Sequence, residues 1–487
     1  MMDKAAYYSA LASRDRRFDG VFYVGVTSTG IYCRPVCTAR TPKAANCRFF
    51  GSREAAEKAS FRPCLKCRPE LAPGTAPVDD AQRIAHLLAQ RIDEGLLDNG
   101  EGMEAVAKKF GWSSRQIRRI VQKELGVSPI ELVLSRRLLL AKQLLTETTL
   151  PVTEVAFASG FASLRRFNDA FGSRYGMPPT RFRKSADSGT ASQLGPSSFT
   201  LQLGYRPPFA WKRLIGFLGA RALSGVEHVS DAYRRTVRLG NHTGIITVRD
   251  NAERNTLLVE VSHSLTPVLP ALLGRLRNLF DLSARPDVIA THLRRDQHLR
   301  ALIRQNPGLR VPGAFDGFEL AVRAILGQQV SVKAATTLGG RFVMAFGEKL
   351  PDHNSELTHI SPAASDVAAA SVKDIASLGI VGTRAATIVN LAEQVAGGSI
   401  SLEAGADPRE TMDRLVALPG IGPWTANYIA MRALRWPDAF PAGDLVIRQR
   451  LGGVSASAAE GLSQGWRPWR SYATLHLWTG ESIANDC

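Results

Sequence analysis

The chain has no run of about 18 apolar residues, so nothing in it predicts a membrane span. Its first twenty residues contain Asp3, Arg14, Asp15, Arg16 and Arg17 and no apolar core, which argues against a secretory signal peptide. Cysteine is scarce: six in 487 residues is too few for a disulfide scaffold, and a reducing, cytoplasmic setting is expected. The later part of the chain lacks the clustered carboxylates that a metal-dependent nuclease needs. Acidic residues are also in the minority. There are 44 Asp and Glu against 61 Lys and Arg, a formal charge of +17. Such an excess points to a polyanionic partner. Residues 1–184 hold 30 basic and 18 acidic residues, so +12 of that charge lies in the front of the chain. The length predicts two to four domains, and an apolar share of 45% is enough to build their cores.

Four of the six cysteines fall into two close pairs, Cys33/Cys37 and Cys64/Cys67, separated by 26 residues. Two such pairs brought together make a tetrahedral thiolate site that suits one Zn2+ ion. An inert structural zinc knot is the plain alternative. The basic surroundings (Arg34, Arg40, Arg62, Arg68) are unusual for one, and Arg34, Arg40 and Arg68 are expected to act on DNA backbone phosphates. Cys47, between the pairs, reads as a small buried hydrophobe. The stretches at 30–40 and 61–69 resemble the zinc domain of the Ada family of adaptive-response regulators. That resemblance implies that Cys33, while bound to zinc, accepts a methyl group from a DNA methylphosphotriester, and that Arg40 serves the phosphate backbone. It also implies a switch, because methylating one of four thiolates on Zn2+ changes the cluster from −2 to −1 beside DNA.

Residues 71–78, rich in Pro and Ala, read as a connection, and Asp79 as the N-cap of a helix with an apolar stripe at 84–89. A near-repeat follows. Val-Ala-Lys-Lys-Phe-Gly-Trp-Ser-Ser-Arg at 106–115 returns 49 residues later as Val-Ala-Phe-Ala-Ser-Gly-Phe-Ala-Ser-Leu at 155–164. Each copy gives a short helix, a glycine turn, a packing aromatic and a helix opening on Ser, which is a helix-turn-helix layout. The second helices carry Arg115, Arg118, Arg119 and Lys123, then Arg165, Arg166 and Arg174, placed to meet DNA in a major groove. The pair resembles the AraC family of promoter-binding domains. Residues 185–198 are small and polar and predict a flexible linker. No Pro-Cys-His-Arg motif follows, so the second methyltransferase centre of Ada proteins is not expected.

Beyond the linker, alternating stretches at 244–249 and 255–261 predict a small antiparallel sheet, and helical patterns broken by Gly and Pro dominate from about 312. The organising stretch is Leu-Pro-Gly-Ile-Gly-Pro-Trp-Thr-Ala-Asn at 418–427. Its Gly420–Gly422 turn between two helical runs can present backbone amides to a phosphate. A lone acid, Asp444, stands 20 residues past Trp424 at the head of another helical run, where an N-cap is the plain reading. Together these resemble the helix-hairpin-helix and catalytic aspartate of the DNA glycosylase superfamily, and residues 214–478 resemble the AlkA family of 3-methyladenine DNA glycosylases II.

That resemblance implies that Phe217, Trp424, Tyr428 and Trp478 surround a flipped-out base, and that Asp444 stabilises the sugar cation as the base leaves. Trp424 stands where strand-cutting relatives keep a Schiff-base lysine, so excision without strand cleavage is expected. Gln329 occupies the position of the intercalating leucine, a polar wedge in place of an apolar one. Four late cysteines for an iron–sulfur cluster are lacking.

The resulting expectation is a multidomain α+β protein. It comprises a zinc and methyl-acceptor domain at 1–76, an all-α helix-turn-helix domain at 79–184, the linker, an α+β subdomain at 199–311 and a helix-hairpin-helix glycosylase domain at 312–487. Its partners would be double-stranded DNA bearing alkylated bases or methylphosphotriesters, promoter DNA and RNA polymerase, in a bacterial, nucleoid-associated setting without a membrane. The alternative is a methylation-activated regulator whose glycosylase half only binds DNA.

Overall fold

The structure is a computed structural model that describes residues 4–15, 18–72, 92, 104, 113–186, 197–350, 356–404 and 406–479. The Asp79 cap, the 84–89 stripe, most of the first helix-turn-helix copy and linker residues 187–196 lie outside the described residues. No helix is long and apolar enough to cross a membrane among the described residues.

After helix α1 (Lys4–Ala12), four short strands form the first sheet: β1 (Tyr23–Val26), β2 (Ile31–Cys33), β3 (Cys47–Phe50) and β4 (Arg62–Pro63), in the order β3-β1-β2-β4. Gly30, at φ +66°, supplies the left-handed residue that returns the chain from β1 into β2. β2 pairs in parallel with β4, which sets the end of β2, carrying Cys33, beside the segment that carries Cys64. Helix α2 (Arg53–Lys58) covers the sheet, its first turn capped by Ser52 accepting from the Ala55 amide.

Five further helices follow among the described residues: α3 (Ser114–Leu125), α4 (Pro129–Glu147), α5 (Val152–Ala158), α6 (Leu164–Tyr175) and a short one at Pro179–Ala186. α4 starts at a capping box in which Ser128 and Glu131 satisfy each other's backbone amides. It then acts as the strut of the molecule. On one side it holds the zinc unit. Lys142 pairs with Glu70 at 2.5 Å, and Ser135 donates to Glu57, which also accepts from Tyr32 and Arg174. Each of these carboxylates is buried yet meets several donors, the condition under which burial of charge is tolerated. On its other side α4 meets the second half of the chain. Gln143 donates to the Gln202 carbonyl, and the Gln202 amide donates to Glu147.

That second half opens with a five-stranded antiparallel sheet of β5 (Ser198–Gly204), β6 (Glu227–Val229), β7 (Tyr233–Leu239), β8 (His242–Asn251) and β9 (Thr256–Ser262), in the order β5-β9-β8-β7-β6. The alternating stretches read from sequence fall in β8 and β9. Their inward residues Ile246, Val248, Leu257, Val259 and Val261 are fully buried. These join Leu138 and Leu144 of α4 and Phe167 and Phe171 of α6 in one apolar cluster. The regulator-like front and the sheet therefore share a core. Gly204 also lies so close to the zinc unit that a Cβ there would stand 1.8 Å from the Leu71 carbonyl oxygen.

The helices Trp211–Gly219 and Leu269–Leu279 pack on this five-stranded sheet, and the helices beyond them form two lobes. One is built from Phe318, Ile325, Ile388, Leu391, Leu415 and Ile429. The other joins Ile289, Leu293 and Ile303 to Trp466, Trp469 and Leu477. The helices Pro286–Leu293 and Arg300–Gln305, assigned from sequence to the sheet subdomain, thus pack with the C-terminal helices instead.

Candidate functional site

At the front of the chain, the four Sγ atoms of Cys33, Cys37, Cys64 and Cys67 lie within 4.8 Å of one another. Four thiols at that spacing match the donor set and size of a tetrahedral Zn2+ site, where each Zn–S bond is about 2.3 Å. The Arg34 amide donates to Cys67 Sγ at 3.3 Å, a second layer of support for the cluster. Cys47 is buried outside the four, as expected for a small apolar residue.

The arginines around the cluster divide. Arg40 is exposed and makes no ion pair among the described residues. Arg34 is mostly buried and, contrary to the sequence expectation, is not held ready for a phosphate. Its guanidinium is committed to the Asp19 carboxylate and the Cys67 carbonyl, with 14% of the side chain exposed. Arg68 is likewise held by Glu70 at 3.1 Å and Glu147 at 2.5 Å. Both cations are consumed in building the unit, which corrects their placement on DNA. Arg174, expected on a recognition helix face, is spent on Glu57 in the same way.

The remaining recognition arginines are available. Arg165 and Arg166 are exposed on α6, which opens with Ser163 accepting from the Arg166 amide. Arg115 and Arg118 are exposed on α3.

The second centre lies where the sheet and both helical lobes meet. Helix α7 (Trp211–Gly219) brings Phe217 from the sheet side. Helices α8 (Pro408–Val416) and α9 (Pro423–Arg432) form the hairpin, and α9 is the seam. It places Ile429 in one lobe core and Met431 in the other. The i, i+4 spacing stacks Trp424 on Tyr428 at 5.3 Å and 10°. Trp478, on helix α11 (Arg470–Thr479), lies 6.2 Å from Tyr428.

Asp444 caps helix α10 (Leu445–Arg450) by accepting from the Ile447 amide at 3.0 Å. Both indoles also donate to it, Trp424 at 2.8 Å and Trp478 at 3.1 Å. Three N–H donors from three elements thus fix one half-buried carboxylate beside an aromatic wall. The structure brings Asp444 together with Trp424, Tyr428 and Trp478. Phe217 joins them through Arg432, whose guanidinium carbon lies 5.1 Å from the Phe217 ring and 5.4 Å from that of Tyr428.

Two cations here were not picked out from the sequence. Arg432 is buried and donates to the Pro312 and Gly313 carbonyls and to the Tyr428 hydroxyl at 2.6 Å. The Arg221 guanidinium lies 3.8 Å over the Phe217 ring. Burial pushes the Tyr428 hydroxyl up, but Arg432 and then Arg221 outweigh it and leave the group below its ordinary pKa. A signal was available. Both arginines sit four residues after a pocket aromatic, Phe217/Arg221 and Tyr428/Arg432, a spacing that brings helical neighbours into contact.

At the hairpin turn Gly420 adopts φ +90°, and a Cβ would stand 2.1 Å from Thr387 Oγ1, so only glycine fits. Gly422 is exposed and caps α9. Neither glycine amide donates to another backbone group among the described residues. Gln328 anchors the neighbouring loop by donating to the Gly420 carbonyl and to Thr425. Next to it Gln329 is exposed at φ +56°, projecting beside the hairpin.

Four protein-family models match the chain: "Metal binding domain of Ada" at 6–70, "Helix-turn-helix domain" at 106–185, "AlkA N-terminal domain" at 200–316 and "HhH-GPD superfamily base excision DNA repair protein" at 322–464. A probable bifunctional transcriptional activator/DNA repair enzyme AlkA of Mycobacterium tuberculosis is 40% identical over 481 residues, covering 97% of this chain and 95% of that one. DNA-3-methyladenine glycosylase 2 of Escherichia coli is 38% identical over 285 residues, 58% of this chain and 98% of its own. The bifunctional transcriptional activator/DNA repair enzyme AdaA of Bacillus subtilis is 30% identical over 179 residues, 36% of this chain and 81% of its own. The chain belongs to the family of bifunctional transcriptional activator/DNA repair enzymes AlkA.

Proposed function

We propose that this DNA glycosylase excises alkylated purines from duplex DNA by hydrolysis of the N-glycosidic bond, with Asp444 as the catalytic group. The observation that carries this reading is a carboxylate fixed by the Trp424, Trp478 and Ile447 N–H groups beside stacked aromatics. A purine turned out of the stack can lie against these rings, and the positive charge of an alkylated purine favours an electron-rich face. As the C1′–N bond breaks, its electron pair leaves with the base and positive charge develops on the sugar. A preplaced carboxylate stabilises that charge without reorganising. Water then adds to C1′ and gives up a proton. An alkylated purine departs as a neutral molecule, so no strong general acid is required. Trp424 offers no amine to form a Schiff base, which supports excision without strand cleavage. The Gly420–Gly422 turn would grip the backbone and Gln329 would fill the gap left by the base.

The front half acts, in the same reading, as a methyl acceptor and promoter-binding unit. Bound zinc keeps the cysteine sulfurs as thiolates at neutral pH. A lone pair of the Cys33 sulfur displaces the methyl carbon from a phosphotriester, and the C–O electron pair stays on the phosphate oxygen as the diester anion. Arg40, which is exposed, would meet backbone phosphates, and the exposed Arg115, Arg118, Arg165 and Arg166 of α3 and α6 would meet DNA. RNA polymerase is a further partner of the regulator in this reading.

Base release from methylated duplex DNA by the wild type and Asp444→Asn tests the excision, and loss in the variant is expected. Mass spectrometry after exposure to methylphosphotriester DNA tests the acceptor. A single methyl on the Cys33 peptide is expected, and a methyl on Cys37, Cys64 or Cys67 would contradict it.

A further inference from the structure

We propose that Arg221 sorts damaged bases by charge, assisting the departure of neutral purines and opposing cationic ones. The inference rests on reading the aromatic site as the base pocket. Two guanidiniums share that pocket and are held differently. Arg432 is tied to two main-chain carbonyls outside the aromatic wall and is 5% exposed, so it is part of the frame. Arg221 follows the end of α7, and its side chain reaches pocket groups: the Phe217 carbonyl at 3.3 Å, the Phe217 ring face at 3.8 Å and the Tyr428 hydroxyl. Its main chain is anchored separately, the carbonyl accepting from Arg323 at 3.0 Å. The head group can therefore move or be screened without loss of the fold around it.

A cation lying on Phe217 occupies the π face that an alkylated purine, itself cationic, would use. The two charges also repel in a half-buried site. A neutral damaged purine meets the opposite situation. It leaves with the glycosidic electron pair, so negative charge develops on the ring, and a guanidinium beside it lowers the cost of that charge. The released anion then takes a proton from solvent water. Asp444 acts on the sugar, so its removal affects both substrate classes in the same direction. Arg221 acts on the base, so its removal should affect them in opposite directions.

The test measures single-turnover excision by the full chain on duplexes carrying one hypoxanthine, which is neutral, or one 7-methylguanine, which is cationic. Wild type, Arg221→Gln, Arg221→Ala and Asp444→Asn are compared. Arg221→Gln keeps much of the length and loses the charge. It should slow hypoxanthine release by roughly tenfold or more and speed 7-methylguanine release, whereas an unchanged 7-methylguanine rate would overturn the charge sorting. Arg221→Ala should shift the ratio in the same sense. Equal fold-changes on both duplexes, or none on either, would overturn the proposal and leave Arg221 a packing residue. Full activity of Asp444→Asn on both duplexes would instead overturn the pocket assignment, whatever Arg221 does.

Discussion

Replacing Arg206 by Met should loosen the zinc unit and the glycosylase half together. Arg206 is 1% exposed. Its Nε donates to the Asp19 carbonyl at 2.8 Å, and its Nη1 donates to the carbonyls of Ser283 at 2.7 Å and Ala284 at 3.4 Å. Its own carbonyl accepts from Arg310, whose other amine donates to the Asp281 carbonyl at 2.6 Å. One side chain thus ties the loop that orients Arg34, through Asp19, to the segment leading into the helix Pro286–Leu293, which packs with α11. A hydrogen bond to a charged group contributes about 1.5–3 kcal/mol, and two of the three here are short, so the loss should be roughly 3–6 kcal/mol. That is a large part of the 5–15 kcal/mol typical of a folded domain. Methionine fills the volume but leaves the carbonyls unmet. Hydrogen–deuterium exchange should rise in peptides covering 18–22 and also in those covering 281–285. A rise in one set only would refute the idea that the two halves are joined through this residue.

His476 is buried in α11, and burial, only partly opposed by a hydrogen bond with the Leu302 backbone, lowers its pKa from 6.5 to about 4. Its neutral form is the folded one, so its contribution is complete above about pH 6.5 and is lost as pH falls through about 4. About 3 kcal/mol should disappear across that window, and His476→Phe should flatten that part of the stability profile seen by urea titration. Gly420→Ala must adopt φ +90° and meet Thr387, so it should cost about 1–3 kcal/mol locally and weaken binding to undamaged duplex in fluorescence titrations. Arg40→Ala should reduce the slope of log affinity against log salt by about 0.9, the share of one phosphate contact. The matching change at Arg34 should unfold the zinc unit, because that cation is paired with Asp19.

The parts legible in the sequence are those written in local spacing. Cys33/Cys37 and Cys64/Cys67 state a four-sulfur site by their intervals alone, and β8 and β9 follow their period-two apolar residues. Asp444 and Trp424 needed the family resemblance, since an N-cap acid and a helical tryptophan carry no mark of their joint hydrogen bond. What escaped was polar and long-range. Nothing near Arg34 announces Asp19, and nothing near Arg206 announces either Asp19 or Ser283. Arg174, read as a recognition-helix cation, and Arg68, read as a cation beside the cysteines, turned out to hold Glu57, Glu70 and Glu147. The shared core of α4, α6 and the five-stranded sheet was also invisible, because the apolar faces of two domains look the same whether they pack on themselves or on each other.

The central claim is that Asp444, and no covalent amine, drives base release. Asparagine is an adequate N-cap, so Asp444→Asn should keep the fold of α10 and bind lesion-containing DNA. Single-turnover release of 7-methylguanine should nevertheless fall by about 10²-fold or more. Borohydride added to the wild-type reaction should trap no protein–DNA adduct. Release at the wild-type rate by Asp444→Asn, or a trapped adduct, would contradict the account.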